Sequence, residues 1–147
     1  MEKKQAWLRL VQEKSAHYLN LGDGGFDERM RARLVDCDYE GQTVTYAFPT
    51  QDWQINEKGG IHGGAIATLA DTVAGSCACS RGGNCVTCSS TMEYLRPAYG
   101  DLFCEATPKK LGRRLSVIQV EIRNAQGKTV ATGTLTFFME VPKKSDR

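Results

Sequence analysis

Two side chains in the middle of this sequence have the chemistry to move a proton, His62 and Asp71. Between and before them the chain is unusual. Gly59, Gly60, Gly63 and Gly64 crowd one short stretch, and each loosens the backbone too much for regular structure there. From Ala65 the residues become Ala, Ile, Thr, Leu and Val, and they stay small and apolar to about Ala78. That composition predicts a helix of roughly four turns with its N-terminus at the glycines. Such a start leaves backbone N–H groups unpaired and aimed beyond the helix. A polarised carbonyl oxygen or a phosphate is the natural guest, and Gly63 is the backbone donor placed for it.

A carboxylate on an otherwise apolar helix costs several kcal/mol to bury unless it is paired or hydrogen-bonded. Asp71 is therefore either a surface group tied to its neighbours or a general base or nucleophile tuned by dry surroundings. For His62 the choices are a loop histidine that fixes the glycine turn and a proton-transfer group. Nine helical residues span about 900° of rotation and roughly 13 Å of rise, so the two side chains point in opposite directions. If both serve one bond, a second copy of the helix must supply one of them, and the spacing becomes an argument for a homodimer.

The elements that must position these groups follow from patterning. At 147 residues the chain has the size of one domain. A formal charge of +2, with no basic run interleaved with aromatics, argues against nucleic acid. No apolar stretch reaches a membrane span, and the charged N-terminus lacks the apolar run of a secretory signal, so a cytoplasmic location is expected. Residues 3 to about 20 read as an amphipathic helix with Trp7, Leu10, Val11 and Tyr18 towards one face; His17 falls in it and is set aside. Residues 22–25 read as a loop, and 26–30 as a short turn of helix. A hairpin follows over 31–39 and 42–48, its second strand alternating Val44, Tyr46 and Phe48 against Thr43, Thr45 and Ala47. The loop 49–61 carries Trp53 and Ile55 towards the glycines. After the central helix come a turn at 81–83 and strands at about 85–96, 102–109, 114–124 and 128–140. In the first of these, Thr87, Ser89, Thr91 and Glu93 are expected on one face and Val86, Cys88, Ser90, Met92 and Tyr94 on the other. Residues 142–147 read as a flexible polar tail. The economical arrangement is α+β, one antiparallel sheet wrapped around the long apolar helix.

Six cysteines (Cys37, Cys77, Cys79, Cys85, Cys88 and Cys104) raise the question of a metal. Residues two apart on a helix and three apart on a strand diverge, and no histidine lies near them. They are expected to be reduced, small buried hydrophobes, with no metal site.

The pattern Asn56-x-x-Gly59-x-x-His62-Gly63-Gly64, then Leu69-x-Asp71 and later Tyr94-Leu95-Arg96-Pro97, resembles the hotdog-fold acyl-CoA thioesterases. It is most similar to the branch of the phenylacetic-acid-pathway enzyme and thioesterase superfamily member 2, and the likeness covers nearly the whole chain after about residue 15. The resemblance implies that Asp71 activates water or attacks the thioester carbonyl, and that Gly63 N–H holds the carbonyl oxygen. Asn56 and His62 would come from the other protomer, and Gly64 would adjoin the substrate. A hydroxyl on the strand after the helix would assist the aspartate. Registering on Tyr94 to Pro97 places it at Thr87, with Ser89 on the same face as the alternative; the turn before that strand is shorter than usual. Acyl-CoA is then the substrate, no cofactor is needed, and the dimer commonly pairs again into a tetramer. Lys109, Lys110, Arg113 and Arg114 are candidates for the CoA phosphates, or else a solvated turn. The acyl pocket, with Trp53 and Ile55 as candidate walls, is open to aromatic and medium-chain groups alike. An acyl-thioester dehydratase on the same fold and a non-catalytic acyl-CoA-binding dimer are the competing readings.

Overall fold

The computed structural model describes residues 1–19 and 24–140, with the side chains of 17–19 left aside. The expectations for the side chains of His17 and Tyr18, for residues 22 and 23 of the 22–25 loop and for the 142–147 tail lie outside the described residues. In chain order the elements are α1 (Glu2–Leu19), α2 (Phe26–Arg29), β1 (Arg33–Asp38), β2 (Thr43–Phe48), a 3-10 turn (Asp52–Gln54), α3 (Gly63–Ala78), β3 (Asn84–Tyr94), β4 (Leu102–Leu111), β5 (Leu115–Asn124) and β6 (Thr129–Glu140). The six strands form one antiparallel sheet in the order β1-β2-β4-β5-β6-β3.

Alternation decides which face of the sheet is covered. Val44, Tyr46 and Phe48 of β2, Cys104 and Ala106 of β4, Ile118 and Ile122 of β5, and Leu135 and Phe137 of β6 are all buried on one side. Helix α3 lies across that side and touches β2, β3, β4, β5 and β6. Phe137 packs at Gly75, where an added Cβ would stand 3.7 Å from its ring. From Thr72 to Ala78 every residue of α3 is buried, as a helix apolar on all sides requires. Its first half is different. Gly64 and Asp71 are exposed and Thr68 is half-buried, and their spacing puts them on one stripe. The sheet covers the back of α3 and leaves that stripe open.

The two faces expected of β3 need correction. Thr87 pairs with Phe137 but Ser89 pairs with Thr136, so Cys88 is one residue too many and forms a bulge. Phe137 is an inward residue, so Thr87 points in. Past the bulge the alternation flips: Ser90, Met92 and Tyr94 face Leu135, Gly133 and Ala131 on the inner side, and Ser89 turns outwards. Ser89 therefore does not share a face with Thr87. The cysteines also divide. Cys77, Cys79 and Cys104 are buried as expected, Cys37 and Cys85 are half-buried, and Cys88 is exposed at the bulge.

Candidate active site

The glycine-rich loop is closed by Asn56. Its Oδ1 accepts the N–H groups of Lys58 (2.9 Å) and Gly60 (3.1 Å), and its own N–H donates to the Gly60 carbonyl (2.7 Å). Gly59 turns the chain at φ 83°, in the left-handed region where a side chain is strained. Ile55 then bridges to Ile61, and Ile61 N–H donates to the Ala98 carbonyl (2.9 Å). The start of α3 is thus pinned on two sides.

His62 is the N-cap of α3. Its Nδ1 accepts the Gly64 N–H at 2.9 Å, and its backbone N–H donates to the Gln54 carbonyl at 2.8 Å. An acceptor at Nδ1 leaves the ring proton on Nε2, which faces outwards on an exposed residue. Gly64 has no side chain for a physical reason: a Cβ there would sit 3.0 Å from His62 Nδ1 and 3.2 Å from Cε1. Its N–H is already engaged by the cap. Gly63, at the first helical position, has its N–H without an acceptor among the described residues, and the positive end of the helix lies behind it. The Tyr94 ring packs on Gly63, 3.6 Å from where a Cβ would be. Ile61, Gly63, Ile66, Tyr94, Leu95 and Pro97 are among the walls of an open cleft of about 390 Å³ at this helix start.

Asp71 sits two turns further along α3 on the uncovered stripe. Thr87 Oγ1, facing in from β3, donates to Asp71 Oδ1 at 2.7 Å. A hydroxyl donor at that distance stabilises the carboxylate and fixes which of its oxygens stays free. Asp71 and Thr87 are brought together; Gly63 is not brought to them, because eight helical residues separate it from Asp71 by roughly 12 Å of rise. One chain therefore holds these candidates in two separate groups, the Asn56–His62–Gly63 corner and the Thr87–Asp71 pair.

The remaining candidates lie elsewhere. Trp53 is half-exposed on the 3-10 turn; its Nε1 donates to Gln51 Oε1 (3.2 Å), and the Arg29 guanidinium covers its ring at 5.1 Å. It does not line the cleft at Gly63, which Ile55 approaches through its bridge to Ile61. Lys109, Lys110, Arg113 and Arg114 are exposed at the β4–β5 end of the sheet. Arg113 and Arg81 line a hollow of about 470 Å³ at the far end of α3 beside Ala78, roughly 22 Å of helix from Gly63 and 10 Å from Asp71. Sequence reasoning did not anticipate Gln54. It is buried, accepts His62 N–H on its carbonyl and joins Gln51 in a capping box, holding the cap histidine in place. The pair of Gln residues three apart around Asp52 was the available signal.

A long helix laid across the inner face of one antiparallel sheet, with a free N–H at its start and a hydrogen-bonded carboxylate on its open stripe, defines the hotdog class. Residues 58–131 match the Thioesterase superfamily, and the chain belongs to that family of thioester-cleaving enzymes. The acyl-coenzyme A thioesterase PaaI of Escherichia coli (strain K12) is 37% identical over 100 residues, 67% of this chain and 70% of that protein. The solved E. coli PaaI structure superposes with a TM-score of 0.79 at 22% identity, covering 92% of this chain and 96% of that one. Zebrafish thioesterase superfamily member 2 gives 0.77 at 23% identity, over 88% and 98%. The Streptococcus mutans UA159 protein smu.793, solved bound to acetyl CoA, gives 0.70 at 29% identity, over 77% and 91%.

Proposed function

We propose that the protein hydrolyses acyl-CoA thioesters to free acid and CoA, at sites that two copies of the chain build together. The observation that carries this reading is the Thr87–Asp71 hydrogen bond of 2.7 Å on an open helix stripe, in a chain whose oxyanion donor lies too far along the same helix to reach it. A second copy facing the first brings the Gly63 corner of one to the Asp71 of the other. There the thioester carbonyl oxygen accepts the Gly63 N–H, and the helix start stabilises the charge that develops on it. Asp71 takes a proton from water, or attacks the carbonyl itself, and the CoA thiolate departs. Thr87 keeps the carboxylate aimed. Asn56 and His62 shape the opposite wall: Asn56 Oδ1 is occupied by the loop, which leaves its Nδ2 as the donor for water or thioester, and His62 offers Nε2–H.

CoA enters as part of the substrate and no other cofactor is invoked. Its phosphates are assigned to Arg113 and Arg114, with Lys109 and Lys110 adjoining, because Arg113 lines the hollow at the Ala78 end of α3, nearer to Asp71 than to Gly63. The acyl group is aromatic or medium-chain, and Trp53 is retained as a candidate contact. Dimers pairing into a tetramer and a cytoplasmic location complete the reading. The smu.793 complex supports the ligand class, and the PaaI relative supports the reaction.

The test is free-thiol release from a panel of aromatic and straight-chain acyl-CoAs, with the Asp71→Asn protein beside the wild type. Turnover on one class that vanishes in the variant supports the assignment and identifies the acyl group. An enoyl product without free thiol would replace it with a dehydratase, and tight binding with no product would replace it with a binding dimer.

A further inference from the structure

Where α3 ends and β3 begins, two cysteines face each other. Cys79 is the C-cap of α3 and Cys85 is the second residue of β3, and their sulfurs are 3.3 Å apart. The turn between them passes through Gly82 and Gly83, at φ 99° and 80°, which lets the chain double back this tightly. Lys14 of α1 clamps the turn, its Nζ donating to the Gly83 carbonyl (2.9 Å) and to Asn84 Oδ1 (3.2 Å). The two thiols are thus held in register by three elements.

Their chemistry differs from that of the other buried cysteines. Burial pushes the Cys77 thiol up to about 12 and the Cys104 thiol higher still, so both stay protonated. Cys79 moves the other way, down to about 7, because its sulfur shares a hydrogen bond with the Cys85 sulfur and the Lys14 ammonium lies close, against the opposing pull of burial. Cys85 rises correspondingly, as the group that keeps its proton. One sulfur is poised as a nucleophile and the other as its resolving partner.

We propose that Cys79 and Cys85 are a redox-active pair that closes to a disulfide under a peroxide, fastening the end of α3 to the start of β3. The Cys79 thiolate attacks one peroxide oxygen, the O–O bond breaks, and the leaving hydroxide takes up a proton as water. The sulfenic acid left on Cys79 is attacked by the Cys85 sulfur; its S–O bond breaks, and the hydroxide leaves as water with the Cys85 proton. Two thiols and one peroxide give one disulfide and two waters, a balanced two-electron oxidation. A disulfide is about 2.0 Å long, so the sulfurs close by roughly 1.3 Å. Cys85 stands two residues before Thr87 on the same inward face, so this movement draws on the hydroxyl that holds Asp71. That last consequence rests on the proposed hydrolytic role of Asp71; the disulfide does not.

The experiment treats the full-length protein with stepwise hydrogen peroxide, caps remaining thiols with N-ethylmaleimide and maps the peptides by mass spectrometry. The expected first product is a Cys79–Cys85 cross-link, lighter by two hydrogen atoms and reversed by dithiothreitol, with Cys77 and Cys104 unmodified. Sulfinic acid on Cys79 with Cys85 still capped, or first cross-links through Cys88, would overturn the pair. Cys88→Ser is expected to keep the cross-link and Cys85→Ser to abolish it; should Cys85→Ser fail to fold, the wild-type map alone decides. In the thiol-release assay the cross-linked protein turns over about ten- to a hundredfold more slowly, the loss expected for one charge-assisted hydrogen bond, and recovers on reduction. A cross-link with unchanged turnover would overturn the coupling to Asp71. Absent turnover in the reduced protein would count against the hydrolytic reading and leave the peptide map as the judge of the disulfide.

Discussion

The sheet has two edges, and they are built for opposite ends. Strand β1 is six residues long, carries Arg33, Asp36 and Asp38, and is broken by a bulge between Leu34 and Asp36. Helix α1 packs beside it, with the Trp7 and Tyr39 rings in edge contact at 5.7 Å. Short length, charge, a bulge and a covering helix are the ways proteins blunt an edge against pairing. Strand β3 shares only the bulge, at Cys88. It is eleven residues long, its only charge is Glu93, and nearly all of it is exposed on both faces. The exposed edge is also the one that carries Thr87, beside the open Gly64–Thr68–Asp71 stripe of α3. Under the proposed divided site, a second copy of the chain is the partner for this exposed edge.

The largest expected effect tests the chemistry at that edge. Asp71→Asn removes the base while keeping the shape, and thiol release should fall by more than the roughly 10²–10³ that one oxyanion donor is worth. Near-normal turnover in a folded variant would remove Asp71 from the site. The next tests the edges against each other. Ser89→Lys with Thr91→Lys puts unpaired charge on β3 and should shift the protein towards monomer in sedimentation, with turnover lost in proportion. Val35→Lys on exposed β1 should change neither. If both pairs of outcomes were alike, the contrast between the edges would be empty.

Thr87→Val should lower kcat ten- to a hundredfold with KM little changed, as expected for a charge-assisted hydrogen bond of about 1.5–3 kcal/mol. Thr87→Ser should recover most of it. The smallest effect is His62→Ala. Losing an N-cap is worth about 0.5–2 kcal/mol, which lowers Tm by about 2–4 °C per kcal/mol in a protein of this size. A kcat collapse with unchanged Tm would make His62 a proton-transfer group rather than a cap.

How much of this was readable in the sequence varies with the physics behind each feature. Helix α3 was legible because its composition changes abruptly at the glycines, although Gly63 and Gly64 proved to be its first turn and not the loop before it. The strands were legible through alternation, most clearly in Val44-x-Tyr46-x-Phe48. The β3 bulge was not, because Cys88, Ser89 and Ser90 suit either face and a single extra residue leaves no mark on composition. The capping role of His62 was hidden by residue type, since imidazole is an uncommon N-cap, and Gly64 signals it only when the space it clears is seen. The separation of His62 from Asp71 was legible from helix geometry alone, and Gly63 stands one residue closer. That distance underlies the proposed divided site.

Mixing two crippled proteins separates a site shared between protomers from one that each chain holds alone. Asp71→Asn protein and Asn56→Ala protein, each inactive, would be combined, allowed to exchange subunits and assayed for thiol release. With sites shared between protomers, half of the randomly formed dimers are mixed and each holds one intact site, so about a quarter of wild-type activity should return. No recovery, with subunit exchange demonstrated, would mean that each chain carries its site alone.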